Sequence, residues 1–195
     1  MNQNIVTLEQ AANSFITQSA DKPIPEIIVK TLLEEEKAAK KNKNPVSFQQ
    51  LEGAWRLFFI TGTKKARDRA GIILGSGKYL PHWVKIYISY CQNQDETANI
   101  VNSVNLGTLK LSLSGPTQIL PNKNIVVFNF TRMTLQVFGK KIFSGDIRGG
   151  KKSEENFYKV QKKEAFFSYF AISDKIIAAR GRGGGLAIWT KEEQK

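Results

Sequence analysis

The sequence predicts a mainly β chain: an antiparallel β-barrel behind an N-terminal helical segment. Three observations predict it. From residue 54 onward, short runs rich in branched and aromatic residues follow one another, broken by turn residues about every 8–12 positions. One run alternates strictly. Leu109, Leu111 and Leu113 fall on one side and Thr108, Lys110, Ser112 and Ser114 on the other, so one face is predicted buried and one wet. The first 42 residues instead space their apolar side chains at the period of a helix.

In the helical segment Thr7 reads as an N-cap before Leu8, Ala11, Ala12, Phe15 and Ile16, which share a face. Asp21-Lys22-Pro23 breaks that helix. A second helix is expected to start between Pro23 and Pro25, with Ile24, Ile27, Ile28 and Leu32 on one side. Its tail places Glu34, Glu35 and Glu36 before Lys40 and Lys41, an order that suits both i,i+4 pairing and the helix dipole. The run from Lys40 to Pro45 ends it. The expected division is therefore a helical arm over 1–45 and a barrel domain over 46–195.

Strands are expected over 54–60, 83–91, 98–106, 108–114, 124–131, 133–138, 141–147, 157–160, 166–172, 175–180 and 186–190. Turn signals stand between them at Pro121-Asn122, Gly149-Gly150, Ser173-Asp174 and Gly183-Gly184-Gly185. Many short strands of this kind suit an up-and-down barrel, which closes its own edges.

Composition excludes several classes. With 41% hydrophobic and 24% charged residues, the chain has globular composition. No apolar run approaches the ~20 residues of a spanning helix, and the first residues show no secretory pattern. Cys91 is the only cysteine and His82 the only histidine, so neither an internal disulfide nor a His/Cys metal cluster is expected. The net charge is +12. Residues 1–50 carry six basic and six acidic groups, and the whole excess lies beyond them. Such a field attracts an anionic partner.

Gly53-Ala54-Trp55 opens the first strand. Gly-x-Trp at this place is the mark of lipocalin or calycin barrels, in which the Trp covers the closed end and an Arg from a late strand stacks on it. Arg180 stands where that Arg would come from. The C-terminal run then reads Arg180-Gly181, a glycine turn at Gly183-Gly184, and Leu186-Ala187-Ile188-Trp189. Leu51-Glu52-Gly53-Ala54-Trp55 precedes it, and Asn102 and Val104 form a mid-domain Asn-x-Val. In that order the motifs resemble the plastid lipid-associated protein family, the plastid fibrillins, in its cyanobacterial form. The resemblance spans residues 5–191. It departs from many plant members at Ala171, Ile177 and Arg182, where they carry an aromatic residue, Arg and Asp.

The resemblance implies a lipocalin-like barrel that binds an apolar small molecule, of the lipid, carotenoid or prenylquinone class, at photosynthetic membranes or lipid bodies. It implies a barrel-closure set of Gly53, Trp55, Asn102, Arg180 and Gly181. It implies a cytoplasmic or thylakoid-peripheral location in a cyanobacterium, or a plastid chain trimmed of its transit peptide. Alternation supplies the interior: Trp55, Leu57 and Phe59 on one strand, Val84, Ile86 and Ile88 on the next, and Val126, Phe128 and Phe130 further on. These are the expected ligand-binding residues, with no resident cofactor and no metal. Lys64, Lys65, Arg67 and Arg69 form the densest basic cluster and are expected to face an anionic membrane.

Two other classes are weaker. Arg180-Gly181-Arg182-Gly183-Gly184 has the letters of an RGG nucleic-acid element, but it lies between apolar strands and reads better as a turn. The charge alone supports nucleic-acid binding. A chromophore lyase or isomerase on a calycin barrel would need His82, Cys91 or Asp146 inside the cavity. No nucleophile elbow is present, Cys91 reads as a buried strand residue, and Asp146 is the lone carboxylate between 97 and 153. The expectation is a non-enzyme with no catalytic residues.

Overall fold

The computed structural model describes residues 2–42, 45–62, 77–93, 97–120, 123–159 and 164–192. Among them are four helices: α1 (Gln3–Ile16), α2 (Pro25–Asn42), α3 (Phe48–Leu51) and α4 (Gly150–Phe157). The strands are β1 (Gly53–Thr61), β2 (Gly77–Tyr79), β3 (Val84–Gln92), β4 (Ala98–Leu106), β5 (Leu109–Ile119), β6 (Ile125–Phe128), β7 (Arg132–Val137), β8 (Lys140–Asp146), β9 (Ala165–Ile172), β10 (Ile176–Gly181) and β11 (Leu186–Lys191).

Eight strands close into an antiparallel barrel. The order is β1-β3-β4-β5-β6-β9-β10-β11 and back to β1. Closure leaves these strands no free edge. Short β2 pairs with the upper part of β1. The hairpin β7–β8 grows from the upper part of β5, with Leu109 opposite Val137 and Ser114 opposite Arg132. The lower part of β5 pairs with β6 instead. The change of partner falls at Gly115, whose Cβ, if it had one, would stand 1.9 Å from the carbonyl oxygen of Asn129. A residue with a side chain could not sit there without moving the backbone of the switch.

The wall carries apolar side chains on both faces, so the described residues form two cores. Inside lie Trp55, Leu57, Ile88, Tyr90, Phe128 and Tyr169 among others. Outside, α1 and α2 lie on the wall and bury Leu8, Phe15, Ile28 and Leu32 against Phe58, Phe170 and Ile188. Pro25 opens α2, where its fixed φ and missing N–H cost nothing. Val29 joins Ile28 and Leu32 on the buried side, whereas Ile24 and Ile27 face solvent, so the expected face is rotated. α1 starts earlier than the Thr7 reading: the Asn2 side chain accepts from Asn4 N–H at 3.1 Å and caps it. Thr7 sits inside the helix and its hydroxyl donates back to the Gln3 carbonyl.

The arm is tied down by polar contacts as well. Asn2 and Asn4 amides both donate to Glu35, joining α1 to α2. The Ser173 hydroxyl donates to Glu9 at 2.6 Å, joining the β9–β10 turn to α1. One expected strand is corrected. Phe157 is the last residue of α4, with its ring buried in an otherwise polar helix. That helix is docked by Asn129, which donates to the Ser153 hydroxyl, and by Thr131, which donates to Glu154.

Candidate functional site

The lower barrel end is the one over which α3 lies, and it is filled. Trp55 Nε1 donates to the Leu51 carbonyl at 2.8 Å, which fixes the indole across that end. The Lys191 ammonium lies over the ring, 5.2 Å from its centre. A cation does cover Trp55, but it comes from β11. The expected partner Arg180 is corrected: it sits on the outer wall, where Nε and Nη2 donate to the two Glu36 oxygens of α2 at 2.7 and 2.6 Å. Its Nη1 also donates to the Gly184 carbonyl at 2.6 Å. Alternation explains this, because Ala179 takes the inward position and Arg180 the outward one.

The interior above Trp55 is packed with rings. Phe128 meets Phe167 with centroids 5.1 Å apart, and Phe167 meets Trp189 edge-on at 5.4 Å. Tyr90 and Tyr169 are fully enclosed and join their hydroxyls at 2.7 Å. That bond gives each hydroxyl a partner in an apolar setting. Burial pushes both phenols well above their usual range.

The expected interior residues divide as follows. Trp55, Leu57, Ile88, Val126 and Phe128 belong to the interior core. Ile86 and Phe130 are half-buried and packed against it. Val84 is half-buried at the upper rim. Phe59 is a correction. A bulge between Leu57 and Phe59 inserts a residue, so Phe58 and Phe59 both lie on the helix side. Gly53 begins β1 at φ 107, Gly181 ends β10 opposite Phe167, and Asn102 is half-buried on β4. Lys64, Lys65, Arg67 and Arg69 lie outside the described residues.

Above the filled part the wall does not stop. The inward faces of β3, β4 and β5 continue onto β7 and β8 as one sheet. Register places Ile86, Val104, Leu111, Leu135 and Phe143 in one row across it. The row below holds Ile88, Asn102, Leu113 and Met133. The row above holds Val84, Leu106, Leu109 and Val137. The two hairpins β4–β5 and β7–β8 meet at this height, where Phe138 N–H donates to the Thr108 carbonyl at 3.0 Å. The expected buried face of 108–114 is therefore corrected: Leu109 is exposed, and Leu111 and Leu113 are half-buried. The alternation is real, but no layer among the described residues covers the face. Asn102 supplies an amide among these apolar neighbours, where the open face joins the filled barrel.

His82, Cys91 and Asp146 do not meet. The His82 ring stacks on Phe15 at 4.3 Å under α1. Burial there, helped by Arg56 and Lys22, holds its pKa below the usual imidazole value. Cys91 is exposed, which corrects the buried reading. Asp146 pairs with Arg132 at 3.6 Å. The Arg180–Gly184 segment forms the turn between β10 and β11, closed by Gly181 N–H to the Gly185 carbonyl. A separate cleft of about 490 Å³ lies between α2 and strands β6 and β9, lined in part by Glu36, Lys40, Lys123 and Ser168.

No family model matches the chain, and no curated protein matches it. Among solved structures it is similar to a biogenic amine-binding protein, at 9% identity and a TM-score of 0.41, over 77% of this chain and 69% of that one. It is also similar to a protein of unknown function from the DUF3598 family of Nostoc punctiforme, at 10% identity and a TM-score of 0.34. That match covers 76% of this chain and 51% of the other.

Proposed function

We propose that this chain is a non-enzymatic carrier of an elongated apolar small molecule, held against the open inner face at the barrel mouth. The observation that supports it is the apolar sheet face formed by Val104, Leu111, Leu113, Met133 and Leu135, continuous with a packed barrel and uncovered among the described residues. Fully burying such a side chain rather than leaving it exposed is worth ~1.5–3 kcal/mol, and these half-buried ones have part of that still to gain. A molecule laid along several of them recovers part of that from each. The amide of Asn102 is placed to hydrogen-bond one polar end, as small-molecule sites usually arrange. The lower barrel is not the site in this reading, because its rings already fill it.

The cargo class rests on the order of motifs shared with plastid lipid-associated proteins: lipid, carotenoid or prenylquinone, with membership of that family and a place at photosynthetic membranes or lipid bodies. The test is native mass spectrometry of protein purified from a photosynthetic host, with its organic extract analysed alongside. A stoichiometric apolar molecule is expected, and it should be lost in Leu111→Asp and Leu135→Asp proteins that keep their near-ultraviolet dichroism. Recovery of the same cargo from both variants would place the site elsewhere. A wild-type protein that is empty, and that takes up no added carotenoid or quinone, would sink the carrier reading.

A further inference from the structure

The upper tip of the open sheet carries large apolar side chains that neither folding nor solvation accounts for. Phe138 is 77% exposed and Trp83 is 71% exposed. Leu106 and Leu109 lie between them in register, because Trp83 precedes Val84, Val84 faces Leu106, Leu106 faces Leu109, and Leu109 faces Val137. Ile142 adds a further exposed side chain on β8. These residues form one apolar edge across four adjoining strands, larger than a scatter of single exposed residues.

The backbone singles out Phe138. Val137 pairs with Lys140, so Phe138 and Gly139 are the two central residues of the hairpin turn. Their φ angles are 49° and 74°. Turns with both central residues left-handed favour Asn or Asp followed by Gly, and a bulky residue at the first position is strained. A large ring is thus held out into water at a position that also disfavours it conformationally. A strained exposed residue of this kind points to use rather than to folding.

Charge says what meets the tip. Between residues 97 and 145 the sequence has five basic and no acidic side chains. Lys85, Lys110 and Lys141 lie on the outer face of the same strands in one row, and Lys140 follows the turn. All four are exposed. Aromatic rings at an edge, with lysines set just behind them, match the layered chemistry of a bilayer surface: acyl chains first, then anionic headgroups.

We propose that the tip formed by Trp83, Leu106, Leu109 and Phe138 inserts into the surface of an anionic lipid bilayer, with Lys85, Lys110, Lys140 and Lys141 on the headgroups. The proposal does not rest on the carrier reading: Leu106 and Leu109 are the top row of the same open face, one row above the residues assigned to cargo, and Trp83 and Phe138 stand beyond it. If both hold, the open face stands directly over the membrane and cargo passes between them without crossing water.

The probe is vesicles of phosphatidylcholine with or without phosphatidylglycerol. The full chain is expected to sediment with the anionic vesicles and far less with the neutral ones. Trp55 and Trp189 are buried, so bromine-labelled acyl chains should quench chiefly Trp83. Phe138→Ser should weaken binding roughly tenfold. Lys140→Glu with Lys141→Glu should weaken it at least as much, since each lysine near a charged surface contributes about fivefold. All these residues are exposed, so the variants should melt with the wild type. Equal binding by wild type and both variants overturns the proposal, as does an absence of binding to anionic vesicles at low salt. A lipid-free dimer that disperses on Phe138→Ser would assign the tip to a second copy instead, and also overturns it. Cargo recovered from a Phe138→Ser protein that no longer binds vesicles would uphold both readings separately.

Discussion

Arg180 and Glu36 form a two-pronged ion pair between the barrel wall and helix α2: Nε to Oε1 is 2.7 Å and Nη2 to Oε2 is 2.6 Å. The matched planes make this the strong form of an ion pair. The Glu36 side chain is 11% exposed, and Lys40 adds a second cation at 3.4 Å. The guanidinium hydrogen bonds hold the Glu36 carboxyl below its ordinary value of 4.5, although burial works against them. Glu36→Gln is expected to cost ~1–3 kcal/mol in urea unfolding, because it leaves the guanidinium short of its charge partner. A cost equal to that of an ordinary surface substitution would show that the pair does not anchor the helix.

The same contact fixes a pH dependence. The folded pKa is depressed, so the stabilisation is present above the unfolded carboxylate value. It is lost as pH falls through the lower, folded one. The acid limb of a stability–pH curve should therefore be shallower in Glu36→Gln than in the wild type. Parallel limbs would contradict it.

Trp55→Ala should destabilise the chain by ~3–5 kcal/mol, since a fully buried indole would leave both a void and an unpaired Leu51 carbonyl. Lys191→Ala should cost only ~0.5–1 kcal/mol, the usual worth of a cation over a ring near the surface. Thermal melts of the two variants give the comparison, and similar losses would mean that the lysine contributes more than its ring contact.

The enclosed hydroxyl pair offers a sharper test. Tyr169→Phe removes one partner and strands the other in an apolar interior, at ~1–3 kcal/mol. Tyr90→Phe together with Tyr169→Phe removes both, and should be less harmful than either single change. Additive losses in a double-mutant cycle would rule out this account.

Gly115→Ala should disturb the partner switch on β5, because the new methyl meets backbone and not a side chain that can turn aside. A loss of ~1–3 kcal/mol is expected, concentrated in faster amide exchange across the β7–β8 hairpin. Unchanged exchange at Met133 and Leu135 would show that the switch absorbs the methyl.

Much of this architecture could be read before any coordinate. The helical period of the arm, the strand at Trp55, and the inward positions of Leu57, Ile88, Val126 and Phe128 all follow from spacing. Other features depend on what spacing does not encode. Phe59 leaves the interior because of a bulge, and a bulge leaves the local composition unchanged. Arg180 chooses Glu36 over Trp55 because its strand position faces outward, which depends on register with distant strands. The apolar side of 108–114 was plain in the sequence, but alternation reports which side is apolar and not whether anything lies on it. The exposed tip had a signal of its own: a Phe-Gly pair between two alternating strands, where Asn-Gly or Asp-Gly would be ordinary.

The irregularity in β1 makes the strand one residue longer than its ladder needs. Leu57 pairs with Trp189 and Phe59 with Ile188, so Phe58 has no counterpart on β11. Removing Phe58 would leave Ile60 opposite Ala187, and every later residue would keep the face it has now. The strand is thus a place where the chain can lose a residue without a slip of frame. What would be lost is half of the aromatic pair against which the helical arm rests, together with the Phe58 carbonyl that accepts from Leu80 N–H at 2.8 Å. Contact between arm and barrel could therefore be graded in a length-variant chain, by one ring, while the ladder between β1 and β11 keeps its frame.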